Sequence, residues 1–183
     1  MSLKVGEFSP GLCLNIQHKI LAMQNLVTIL LISLLSISAN SQNKDAIKVY
    51  DFDSEPEILK SKAPQLDNAH PNLLNPQISK TEYETVMESW TKLHQEMASF
   101  LKAKDFEWET EDEQILIVHK FYFDADGNIH TYVFNLLNED IDEQQRQTYS
   151  NLVSEFAETY SIGLKRDKQF AQCGKTRQMN QNI

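Results

Sequence analysis

Residues 114–137, QILIVHKFYFDADGNIHTYVFNLL, constrain the fold more than any other stretch, because two strands and their turn can be read locally. Residues 115–123 and 129–134 are rich in β-branched and aromatic side chains, which suit a pleated, half-buried surface. Between them Asp124-Ala125-Asp126-Gly127 fits a type I turn with Gly127 in the left-handed position, giving a three-residue hairpin loop with a G1 bulge. That register sets Phe123 against Ile129, Phe121 against Thr131 and His119 against Val133. One face then carries Ile115, Ile117, His119, Phe121, Phe123, Ile129, Thr131 and Val133 and is expected to meet the core. The other carries Leu116, Val118, Lys120, Tyr122, His130, Tyr132, Phe134 and Leu136, with Lys120, Tyr122 and His130 expected in water. A lone hairpin is marginal in water, so flanking segments have to supply a partner layer.

The turn contains Asp124-x-Asp126-Gly127-Asn128, a fragment with the look of a calcium loop. Such a loop needs oxygens at alternate positions, glycine at the sixth and a distal glutamate. Here glycine is fourth and a strand follows, so the segment reads as a turn.

Two amphipathic helices are expected around the hairpin. Over 81–103, Tyr83, Val86, Met87, Trp90, Leu93, Met97, Phe100 and Leu101 share one face at helical spacing, behind a capping box at Ser79/Glu82 or Thr81/Glu84. Trp90 and Met97 are expected deepest. Over 141–161, Tyr149, Leu152, Val153, Phe156 and Tyr160 form the apolar face, with Asp140-x-x-Glu143 as the cap and Gly163 as the stop. Residues 105–109 (DFEWE) read as a short strand, 170–174 as a last strand, and 175–183 as a polar tail. Residues 42–79 hold four of the five prolines and no sustained period, which suits an extended strap with an edge strand at 46–52. The compact unit is then 80–174: an α+β, two-layer domain, a small antiparallel sheet around the hairpin with both helices on one face.

The front of the chain has its own logic. A twelve-residue apolar run at 26–37 precedes Ser38-Ala39-Asn40-Ser41-Gln42, which matches a signal-peptide core and its cleavage site. Cleavage is expected between Ser41 and Gln42, with Met23 as an alternative start and 1–41 removed. That implies export to the periplasm or beyond; an uncleaved run would instead be a membrane anchor.

The formal charge of −9 argues against nucleic acid, whose phosphates require a cationic footprint. Removal of the front leaves Cys173 without Cys13, which rules out a disulfide framework within the chain. No phosphate loop, nucleophile elbow, HExxH or CxxC is present. His119 and His130 fall on opposite faces of the hairpin and cannot share a metal, and no cofactor is implied. The acidic run Glu107, Glu109, Glu111, Asp112 and Glu113 alternates between faces and reads as a solvated edge. Tyr122, His130 and Tyr132 form the best polar-aromatic cluster, as candidate ligand contacts with no catalytic role.

The pattern KFYFDADGNI at 120–129, followed by a helix and a final strand, resembles the C-terminal domain of TonB-type energy transducers over about a third of the chain. The Pro/Lys-rich spanning region of that family is missing, since 54–79 is short and hardly basic. The resemblance implies an alternative role as a membrane-anchored envelope adaptor. The sequence itself points to an exported, non-enzymatic binding or interaction module of the bacterial envelope, with an envelope protein or small ligand as partner. A small enzyme with dispersed residues is the remaining reading.

Overall fold

A computed structural model describes residues 46–180. The expected leader at 1–41, its cleavage site, Cys13 and the last three residues lie outside them. In chain order the elements are β1 (Lys48–Asp51), α1 (Pro56–Ala69), the one-turn α2 (Pro76–Ser79), α3 (Tyr83–Ala103), β2 (Gln114–Phe123), β3 (Ile129–Leu136), α4 (Glu143–Thr159) and β4 (Phe170–Met179). The class is α+β. The sheet is mixed, not purely antiparallel: its order is β1-β3-β2-β4, with β1 parallel to β3 and the other two pairings antiparallel. A parallel neighbour needs a long crossover, and residues 52–128, which run through α1, α3 and β2, provide it.

The turn forms as its residues require. Gly127 has φ of +88°, and a Cβ there would sit 2.5 Å from the Leu164 carbonyl oxygen, so both conformation and space demand glycine. The Asp124 carboxylate accepts from the Asn128 backbone and side-chain amides, both at 2.9 Å. The register beyond the turn differs from expectation. Phe123 faces Ile129, but Tyr122 faces Thr131, Phe121 faces Tyr132 and His119 faces Phe134. β3 carries one extra residue, His130, and this bulge shifts everything after it by one position. Tyr132, Phe134 and Leu136 therefore join Ile115, Ile117, His119 and Phe121 on the core face, while Thr131 and Val133 turn to the other. The larger apolar set wins the core, which is the burial term deciding register.

Helices α3 and α4 cover that core face together. Val86, Trp90, Leu93, Met97 and Leu101 of α3 are buried, and so are Tyr149, Val153, Phe156 and Ala157 of α4. Met97 is fully buried, whereas Trp90 lies toward the rim at 8% exposure. The caps differ from expectation. α4 is capped by Asp142, whose carboxylate accepts from the Gln145 amide at 2.8 Å, and α3 follows a 3-10 turn (Lys80–Glu82) with no side-chain cap. α4 is also tied to β1 by a mostly buried pair, Arg146 to Asp51 at 3.2 Å.

Three further expectations are corrected. Residues 105–109 form no strand; Phe106 and Trp108 fold under Tyr149, with ring centroids 6.0 and 5.0 Å away. Residues 175–179 are strand, not frayed tail, and pair with 114–118 of β2. The strap is helical over Pro56–Ala69. Pro56 occupies the first turn, where no amide donor is needed; Pro64 sits exposed in the interior, at the cost of one helix hydrogen bond. Leu59, Ala63, Leu66 and His70 recur at helical spacing and form the inward stripe. α1 lies on the sheet face opposite α3 and α4, since Asp67 reaches Lys120 and Tyr122 while Lys62 reaches Tyr50.

Candidate functional site

The sheet carries a histidine pair on each face. On the helix-covered face His119 is fully buried and both ring nitrogens are engaged. Nδ1 lies 2.7 Å from the Tyr132 hydroxyl and Nε2 lies 2.7 Å from Thr176 Oγ1. The Tyr132 hydroxyl continues to that of Tyr149 at 2.9 Å. This is a closed polar chain through the core, and burial holds His119 well below, and both tyrosines well above, their ordinary values. A buried chain of this kind orders a core when every member is satisfied.

His94, on α3, stands against His119 with ring centroids 4.3 Å apart, and against Trp90 at 4.2 Å. Both of its ring nitrogens are buried without a hydrogen-bond partner, and burial lowers its pKa to about 4. It lines an open groove of about 860 Å³ between α3, the 105–108 loop and β4, which Trp90, Trp108, Thr176 and Met179 also line.

On the opposite face the second pair bridges two segments. His70, at the C-terminal end of α1, places Nε2 2.8 Å from His130 Nε2 on β3. The outer nitrogens are anchored: His70 Nδ1 lies 2.7 Å from the Leu66 carbonyl oxygen and His130 Nδ1 lies 2.9 Å from Thr131 Oγ1. Beside them the Tyr122 hydroxyl donates to Asp67 at 2.8 Å, and Lys120 pairs with the same carboxylate at 2.5 Å. Burial, the bond to Asp67 and its charge push the Tyr122 pKa up. Burial also raises the half-buried Cys173 thiol, against the pull of Lys120, so it rests as a thiol and is no activated nucleophile.

The expected cluster of Tyr122, His130 and Tyr132 is therefore divided. Tyr122 and His130 share the α1 face, with ring centroids 6.5 Å apart, while Tyr132 lies in the core on the other side. Tyr122 is buried under α1 instead of facing water. His119 and His130 do fall on opposite faces. Sequence reasoning missed His70, Asp67, His94 and Thr176 as partners; the helical stripe ending at His70 was the available signal. Among the described residues no group of three or more His, Cys, Asp or Glu side chains is placed to hold a metal ion, and no helix is long and apolar enough to cross a membrane. No known protein family matches the chain, and neither the curated proteins nor the solved structures contain a match to it.

Proposed function

We propose that this chain is an exported, non-enzymatic binding module of the bacterial envelope that takes an extended segment of a protein partner along β4. The observation that carries the reading is the groove of about 860 Å³ beside that strand, lined by Trp90, His94, Trp108, Thr176 and Met179. β4 is an edge strand. Among the described residues its outer side is occupied only near its start, where the Ala171 amide donates to the Pro71 carbonyl, the Ala171 carbonyl accepts from Leu73, and the Cys173 amide donates to Asn72. Alternation along the strand turns the backbone groups of Lys175, Arg177 and Met179 to that same outer side, where a peptide strand can add. Lys175 and Arg177 discourage uncontrolled edge pairing and favour a segment with acidic residues. His94 has no carboxylate bonded to it, which separates the groove from an acid–base site. Export rests on the leader-like front.

Peptides selected from a displayed library on the full chain provide the test. Arg177→Pro blocks the outward amide while leaving the ladder to β2 intact, and is expected to weaken selected binders by at least about tenfold, or about 1.4 kcal/mol. Arg177→Gln, which keeps the amide, is expected to retain most of the affinity. Binders indifferent to Arg177→Pro contradict strand addition at this edge.

A further inference from the structure

The facing imidazoles of His70 and His130 have a consequence that the peptide groove does not involve. A carbonyl oxygen only accepts, so His70 Nδ1, 2.7 Å from the Leu66 carbonyl, carries a hydrogen. A neutral His70 then offers a bare Nε2, and His130 Nε2 has to donate across the 2.8 Å gap. That leaves His130 Nδ1 bare, accepting from the Thr131 hydroxyl. The neutral pair is thus satisfied at all four nitrogens. One added proton is tolerated: a protonated His130 donates to His70 through Nε2 and to Thr131 through Nδ1. A second proton is not, because two N–H groups would then point at each other across a bond-length gap, with two cations in contact.

We propose that His70 and His130 form a proton-controlled latch that holds α1 against the sheet when neutral and releases it when both rings are protonated. The position suits the role. α1 rests on the sheet through the single stripe of Leu59, Ala63, Leu66 and His70, most of its other side chains are exposed, and its remaining ties are polar. The charged surroundings come from every neighbouring element. Asp67 on α1 and Asp124 in the hairpin turn favour the protonated rings, while Lys48 on β1 opposes protonation of His130. Lys120 on β2 ties up Asp67, which also accepts from Tyr122; Cys173 on β4 lies beside them as a neutral thiol. Burial outweighs the two carboxylates, and both rings sit below the ordinary value of 6.5.

The sign follows from that depression. The released state takes up protons at the ordinary value and the latched state only below it, so the latch is fully closed above 6.5 and weakens as pH falls further. Release would uncover Tyr122, Lys120 and Cys173 on the sheet.

Hydrogen exchange of the full chain, read by mass spectrometry and corrected for intrinsic rates, tests this. Between about pH 7.5 and about pH 5, protection of 56–73 is expected to fall by about tenfold, while 143–159 stays protected. In His130→Gln and His70→Asn, each of which keeps one buried ring, the fall in protection of 56–73 is expected to shrink severalfold. Unchanged protection of 56–73 in the wild-type chain, or an equal fall in the two variants, would overturn the latch. Because peptide binding at β4 is read separately, failure of the latch leaves that reading intact.

Discussion

The two faces of one sheet are held in opposite ways. The face under α3 and α4 is built mainly from large apolar side chains, and its longest polar run among the described residues, Thr176–His119–Tyr132–Tyr149, is hydrogen-bonded at every step, beside a shorter contact from Gln172 to Ser89. The face under α1 is held by a narrow stripe together with a carboxylate, a lysine and two imidazoles. Apolar contact is indifferent to pH, whereas polar ties between titratable groups are not. The difference teaches that burial alone does not make a layer permanent: Tyr122 is as buried as Phe134, yet only one of them lies under a layer that protonation can lift.

The comparison breaks first under truncation. Phe134→Ala removes a fully buried ring packed between Tyr132 and Tyr149, and is expected to lower global stability by about 3–5 kcal/mol in denaturant unfolding. Leu59→Ala, on the α1 stripe, is expected to cost exchange protection over 56–73 with a smaller shift of the global midpoint; an equal global loss would erase the distinction between the faces. Next is Arg146→Ala, which leaves Asp51 charged and largely buried and is expected to cost about 3 kcal/mol. Arg146→Met tests the same point more gently, as it restores packing without the charge. Tyr149→Phe removes one end of the core chain but leaves Tyr132 bonded to His119, so about 1 kcal/mol is expected in the same unfolding measurement. The smallest effect is that of Lys165→Ala, whose 3.3 Å pair with Asp126 is exposed on both sides, at less than about 0.5 kcal/mol.

How far the sequence could be read follows the same division. The hairpin, its glycine turn, α3, α4 and the α+β class were legible, because turn chemistry and helical spacing are local signals. The bulge at His130 was not, since a turn fixes register only as far as the first irregularity; weighing Tyr132-x-Phe134-x-Leu136 against Thr131-x-Val133 would have revealed it. α1 was hidden by Pro56 and Pro64, although Leu59, Ala63, Leu66 and His70 carried the helical period. Both histidine pairs were illegible, because each joins residues far apart in the chain: His70 with His130, and His94 with His119. His94 lies within the span of the α3 stripe, but nothing local says that its nitrogens end up without partners.

A pH titration of the four described histidine rings by nitrogen–proton correlation spectroscopy tests the contrast between the faces most directly. At high pH His70 is expected to carry its proton on Nδ1 and His130 on Nε2. The two are expected to titrate as a coupled pair below the ordinary 6.5, with His94 following near 4 and His119 silent over that range. In that outcome the α1 face loosens in mild acid, whereas the ring of His94 stays neutral in the folded chain down to about 4, its contribution to global stability declining from 6.5 and gone by about that value. Independent titration of His70 and His130 at ordinary values, with mixed tautomers at high pH, would contradict the account.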